Sequence, residues 1–390
     1  MKKLSIFLIA LLSVLDSFAF TLSKEAEISI LTCSPGAELY SLFGHTAIRV
    51  SDPSQRFDKV FNFGTFDFGT PGFYLKYAQG LLPYQLAVSS YPLFLAGYQE
   101  ENRSVYSQTL KLDSLEKQTL FDLLLENYRP ENRSYLYNFL FDNCTTRSRD
   151  IVQKSLPAAI TWNLADTDKN FWNLLDEYLR VSPWVKWGIH TILGQPGTRK
   201  ATTFEYMFLP DYLMYGLDSA TYNGKPLAEK TEIVYQVPAP RTNNPWFFSP
   251  WFVFSLGVLL LILLLENKKS LKLLNTVTFL FFLFTGIVGA LIVFLGFFTE
   301  HPITAPNWNI LWANPLNLIA VWFIFFRQLP RLIRGYLNLY LLLLAIAIPV
   351  WFLAQPAVPL ASLPFILLMI YLCFRQKQKQ KRIVHSNLRK

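Results

Sequence analysis

An α+β domain followed by an α-helical membrane domain is the fold class that this sequence predicts. Three observations carry it. Residues 21–245 alternate short strand-like runs with helix patterns and turn residues. From Trp246 onward, apolar runs of bilayer-spanning length follow one another. The chain is 52% hydrophobic and 16% aromatic, which is apolar for a soluble protein of 390 residues.

The first segment, 1–20, has a basic start (Lys2, Lys3), an apolar core from Leu4 to Leu15, and small residues at Ser17 and Ala19. That is the pattern of a cleavable signal peptide. An uncleaved anchor would export the following residues equally. Within 21–245, Ala26–Thr32 reads as a strand ending at the turn Cys33-Ser34-Pro35-Gly36. His45–Val50 is β-rich, and Lys59–Phe68 alternates aromatic and polar residues as a half-buried strand does. Asp113-Ser114-Leu115-Glu116 is a capping box that opens a helix to about Asn127. Tyr222-Asn223-Gly224-Lys225 signals a hairpin, and Pro238–Pro245 a linker.

The second domain, 246–374, holds about five expected spans: 247–265, 277–298, 311–326, 336–354 and 357–374. The third is the shortest, and Pro315 interrupts its start. Lys and Arg gather in the 266–272 and 327–334 loops and in the 375–390 tail, whereas the 299–309 and 354–358 loops hold none. The alternation places the soluble domain outside and the basic tail in the cytoplasm, the orientation a signal peptide also demands. The formal charge of +9 is therefore a topology signal and not a nucleic-acid surface.

Three cysteines, Cys33, Cys144 and Cys373, make neither a disulfide scaffold nor a CxxC pair, and the four histidines are scattered. No metal site or cofactor is expected. Cys144 follows Asp142-Asn143, which are capping residues, so it should sit at a helix N-terminus. There the dipole and free N–H groups favour a thiolate. The bland alternative is a small buried hydrophobe, against which its polar flanks argue. A nucleophile needs a base, and the base an orienting group. His45, opening a strand after Phe43-Gly44, is one candidate, with Asn62 on the next strand to fix its tautomer. His190 is the rival, and His385 lies in the tail. Cys33 reads as a buried structural thiol and Cys373 as filler in the last span.

The order of a strand-opening His, a polar residue on the next strand and an Asn-Cys helix start resembles the circularly permuted papain-like fold. That group includes lecithin-retinol-acyltransferase-like enzymes and is related to the NlpC-type peptidases. Leu31–Gly36, Tyr40–Thr46, Phe61–Asp67, Asp142–Thr145 and Glu205–Pro210 more closely resemble the Lnb family of lipoprotein N-acyltransferases. His301-Pro302, Asn307-Trp308-Asn309 and Pro315 resemble that family's membrane domain.

The resemblance implies an inner-membrane enzyme with Cys144, His45 and Asn62 as catalytic residues. Cys144 would take an acyl chain from a phospholipid as a thioester and pass it to the α-amine of a diacylglyceryl-cysteine apolipoprotein. Amides at Cys144–Thr146 would hold the oxyanion. Arg147, Arg149, Arg199 and Lys200 are candidates for a lipid phosphate, with solvated surface charge as the alternative. His301, Asn307 and Asn309 would bind lipid or dock the exported domain, with plain loop residues as the alternative. The aromatic stretch 68–98 is a candidate interfacial anchor, with core packing as its alternative. Two other function classes stay open: a membrane-anchored NlpC-like peptidase or amidase of the cell envelope, and a non-enzymatic envelope scaffold.

Overall fold

A computed structural model describes residues 20–165, 168–238, 245–353 and 358–388. Residues 1–19 of the expected signal peptide, most of the Pro238–Pro245 linker and most of the 354–358 loop lie outside the described residues.

The N-terminal domain is built on an antiparallel sheet. Its strands are β1 (Glu27–Cys33), β2 (His45–Asp52), β3 (Phe57–Thr65), β4 (Pro83–Ser90), β5 (Val105–Thr109), β6 (Ser134–Leu136) and β9 (Glu232–Tyr235), in the order β6-β4-β3-β2-β1-β5-β9. A two-stranded hairpin, β7 (Thr221–Tyr222) and β8 (Lys225–Pro226), turns at Asn223 and Gly224, both with positive φ, where the sequence placed it. The helices are α1 (Phe73–Gln79), α2 (Tyr91–Glu100), α3 (Ser114–Tyr128), α4 (Cys144–Ser155), α5 (Phe171–Leu179), α6 (Pro183–Ile192) and α7 (Pro210–Ser219).

The central strands are covered on both faces, and apolar side chains from each face feed a separate cluster. Ile28, Ile30, Ile48 and Phe61 pack under Leu120 and Phe121 of α3 and Ile151 of α4. The alternate residues Leu31, Cys33, Ala47 and Val60 pack against Phe94 of α2. That division follows the two-residue period of a strand. Phe121 is sealed by Phe20, Phe57 and Phe61, a burial contributing roughly 2–3 kcal/mol. The α3 capping box is present: Asp113 accepts from the Leu115 and Glu116 amides, and Glu116 accepts from Asp113 N–H.

The C-terminal domain departs from five continuous spans. Four helices among the described residues are long and apolar enough to cross a membrane: α8 (Pro250–Lys268), α9 (Leu271–Phe297), α10 (Arg331–Leu353) and α11 (Leu363–Leu388). The expected third span, 311–326, is instead a chain of short turns: a 3₁₀ turn at Trp308–Leu311, one α turn at Asn317–Ala320 and another 3₁₀ turn at Val321–Phe323. Pro315 has no N–H to give, and asparagine side chains compete for the backbone. Asn307 Oδ1 accepts from Asn309 N–H and Asn314 Oδ1 from Leu316 N–H.

Such backbone is tolerated at membrane depth only when protein satisfies it. Tyr340 donates to the Trp312 carbonyl at 2.5 Å, Asn317 donates to Thr285, and Tyr336 donates back to Asn317. Gly289 of α9 makes the close approach possible, since a Cβ there would stand 2.2 Å from Ala313 O. The broken segment still runs the length of the bundle. Its start touches Thr191 of α6, and its end meets Lys379 and Gln380 of α11.

Candidate active site

Cys144 is the first residue of α4, and Asn143 is the cap. Asn143 Oδ1 accepts from Thr145 N–H and Thr146 N–H at 2.8 Å each, and Thr146 Oγ1 accepts from Asn143 N–H. The cap amide also donates to Phe139 O and Phe208 O, which ties the helix start to two other segments. One expectation changes here. Thr145 and Thr146 spend their amides on the Asn143 cap, which takes both away from the expected oxyanion site.

His45 opens β2. Gly44 before it holds φ +80°, and a Cβ there would sit 2.8 Å from Cys33 O, so the tight entry needs glycine. The bond from His45 Nε2 to Asn62 Oδ1 on β3 is 2.5 Å. Asn62 thereby fixes Nε2 as the protonated nitrogen and leaves Nδ1 for the thiol. Beyond Asn62 the β3–β4 register shifts before Thr65. In that bulge Gly64, with φ +85°, presents its bare Cα to Cys144.

The electrostatics match a coupled thiol–imidazole pair. Burial pushes the Cys144 thiol up, but His45, the Thr46 amide and the Thr145 hydroxyl outweigh it and bring the group down to about 7. Burial pushes His45 down, but the Cys144 thiolate and Asn62 outweigh that, so its pKa ends above the ordinary imidazole value. The thiolate–imidazolium state is thus stabilised on both sides. Thr46 Oγ1 and Thr145 Oγ1 meet at 3.1 Å and hold the two elements together.

The other candidates lie elsewhere or have internal partners. His190 is buried in α6, with Nε2 2.7 Å from Asp176 and its ring edge-on to Trp172. It lines a cavity of about 340 Å³ between α6 and the N-terminal end of α8. Arg147 forms a bidentate pair with Asp142 and lies 3.4 Å over the Tyr135 ring. Arg149 pairs with Asp150 and donates to Phe204 O. Arg199 pairs with Glu205, and the exposed Lys200 with Asp168. Cys33 is a buried free thiol, and burial pushes it up to about 12. Cys373 is buried among the membrane helices.

His301 and Asn307 sit where the two domains meet. His301 Nε2 lies 3.1 Å from Ala78 O of α1, and Glu300 N–H donates to Gln79 O. Asn307 donates to Thr191 O, and Gly194 N–H to Ile303 O. Trp187 of α6 donates to Ser362 at the head of α11. Residues that sequence reasoning missed include Gly64, beside Cys144, and Tyr135 and Tyr137, which meet the same glycine. Gly64 was visible inside Phe61-Asn62-Phe63-Gly64, whereas nothing in the local pattern marks Tyr137.

Fold and site define a membrane-bound protein class: an α+β domain carrying a Cys–His–Asn constellation, seated on an apolar helical bundle. Residues 19–178 match the Lnb N-terminal periplasmic domain, and residues 242–381 match the Lnb transmembrane domain. The chain belongs to the Lnb family, with its sheet domain periplasmic. Searches of the curated proteins and of the solved structures return no match.

Proposed function

We propose that this protein is a phospholipid:apolipoprotein N-acyltransferase. The observation that carries the reading is the Cys144–His45–Asn62 constellation at the head of α4, held on a domain bonded to membrane helices. Cys144 Sγ attacks an ester carbonyl of a phospholipid, and the thiol proton passes to His45 Nδ1. The Cys144 N–H faces the oxyanion. Collapse breaks the acyl C–O bond, the lysophospholipid oxygen takes the proton from His45, and a thioester remains. The free α-amine of a diacylglyceryl-cysteine lipoprotein then attacks the thioester. His45 accepts the amine proton, an amide forms, and the thiolate leaves. A nucleophile near pKa 7 is both ionised and a competent leaving group at neutral pH.

The order His45 before Cys144 supports a permuted papain-like arrangement of the domain. The basic tail supports a cytoplasmic C-terminus. An NlpC-like amidase would use the same pair on a peptide bond, but the domain's seat on a bilayer bundle favours lipid substrates. Mass spectrometry of lipoprotein N-termini decides. Deletion and Cys144→Ala should each convert triacylated N-termini to diacylated ones. Unchanged triacylation in both strains refutes the reading.

A further inference from the structure

A chain of aromatic rings runs from Tyr137, which meets Gly64 beside Cys144, to the exposed segment at Phe68–Tyr74. Tyr137 comes within 3.5 Å of the Cβ position of Gly64, which also has Cys144 at 3.4 Å and Tyr135 Oη at 4.0 Å. Tyr84 stacks on Tyr137 with centroids 4.3 Å apart. Phe66 meets Tyr84 edge-on at 5.2 Å and continues to Phe68 at 5.1 Å and Phe73 at 5.9 Å. The far end is open: Phe68 is 69% exposed, Tyr74 83% and Leu75 61%. An apolar surface of this kind next to a bundle marks an interaction site.

Its height is fixed by the bundle. The last residues of α1 are bonded to Glu300 and His301, just beyond the end of α9. There Phe297 and Phe298 are also exposed, at 76% and 66%. The span of α9 therefore brings its own aromatic end level with α1, as in the aromatic belts of membrane proteins. Within α1, Lys76 is the one charge, and a long basic side chain can reach headgroup phosphates from that depth. Rings offer a chain-length-tolerant apolar wall and few hydrogen-bond partners, which suits a hydrocarbon tail and not a peptide.

We propose that this ridge is the entry ramp for an acyl chain of an outer-leaflet phospholipid, with the Phe68–Tyr77 segment immersed in the bilayer interface. The proposal rests on the acyl-transfer reading above and names the route to its site. The ramp guides the tail while the ester is drawn along Tyr84 and Tyr137 to Cys144.

The test uses full-length protein in vesicles of phosphatidylethanolamine and phosphatidylglycerol. The double variant Tyr74→Glu/Leu75→Glu should slow acyl-Cys144 formation at least tenfold, read by intact-protein mass spectrometry. Alkylation of Cys144 by iodoacetamide should keep its wild-type rate, which separates loss of the ramp from loss of the fold. Unchanged acylation overturns the proposal. So does normal acylation with slowed transfer to a diacylated lipopeptide, because the ridge would then serve the acceptor.

A second measurement is independent of the chemistry. A nitroxide on Tyr74→Cys in the Cys144→Ser variant, where the remaining thiols are buried, should be more accessible to oxygen than to a nickel chelate. The reverse order overturns immersion. If wild-type protein never forms acyl-Cys144 while the nitroxide reads lipid, the acyl-transfer reading falls, and the donor route with it.

Discussion

A Cβ placed on Gly64 would stand 3.4 Å from the Cβ of Cys144, and Gly64 holds φ at +85°. Strand β3 thus gives up regular pairing at the point where Cys144 comes close. Gly64→Ala should destabilise the domain by about 1–2 kcal/mol through the left-handed backbone alone. It should also crowd Cys144 against Tyr137. Thermal unfolding checks the first effect and the rate of acyl-Cys144 formation the second; both should fall.

Asn62 acts through His45. Asn62→Ala leaves the imidazole free to take the wrong tautomer, and acyl-Cys144 formation should drop by about a hundredfold. Asn62→Gln, which can restore an acceptor with altered reach, should recover part of it. Equal loss in both variants with an unaltered pH profile would assign Asn62 to packing alone.

The reactivity of Cys144 should titrate near neutrality. Burial raises its pKa, but His45, the Thr46 amide and the Thr145 hydroxyl together bring it to about 7. Iodoacetamide alkylation should therefore rise about tenfold per pH unit below that point and level off above it. In His45→Gln the favourable charge is gone and burial remains, so the midpoint moves to higher pH. A midpoint that stays near 7 in that variant would show that His45 does not set it.

Asn143 is the clearest structural support of the site. Asn143→Asp keeps an acceptor for the Thr145 and Thr146 amides but loses both donations, to Phe139 O and Phe208 O. It also places a carboxylate beside the thiol. The alkylation midpoint should shift upward and stability should fall. Asn143→Ala should cost about 1–2 kcal/mol of stability through the lost cap.

The domain seat is testable at Gly194. A Cβ there would lie 2.5 Å from Pro306 O and 2.8 Å from the Thr304 carbonyl carbon. Gly194→Val should wedge α6 off the 299–309 loop. Acylation from phospholipid should then fall while iodoacetamide alkylation persists. Coupled loss of both would mean that the seat also holds the fold.

Much of this site was legible in the sequence because it is local. Asn143 before Cys144 is a capping pattern, and its helix starts where the pattern says. His45 and Asn62 lie on strands adjacent in both sequence and sheet, so side-by-side placement followed from strand period and a short turn. The 3₁₀ and α turns at 308–323 were not legible. Hydropathy measures how apolar a segment is, not whether its backbone closes on itself. Asn307 reads from the sequence as a candidate site residue, and nothing there marks Asn314 or Asn317, yet these three side chains supply bonds that a regular helix would have made internally. The expected set of oxyanion amides narrows for a related reason: the cap that announces a helix start also consumes the Thr145 and Thr146 amides. Tyr137 was invisible because its contact with Gly64 depends on a bulge, which no residue count forecasts.

Strand β9 is the last piece of the sheet, pairing with β5, and it ends at Tyr235, a short distance before α8 opens at Pro250. The sheet therefore stays unfinished during synthesis until the residues just ahead of the first membrane helix have been translocated. Until then β5 presents an unpaired edge. Closure of the sheet and insertion of the bundle become neighbouring events in one assembly line, and the 299–309 loop is made only after both have begun. The nascent domain thus gains its β9 edge before it can gain its seat.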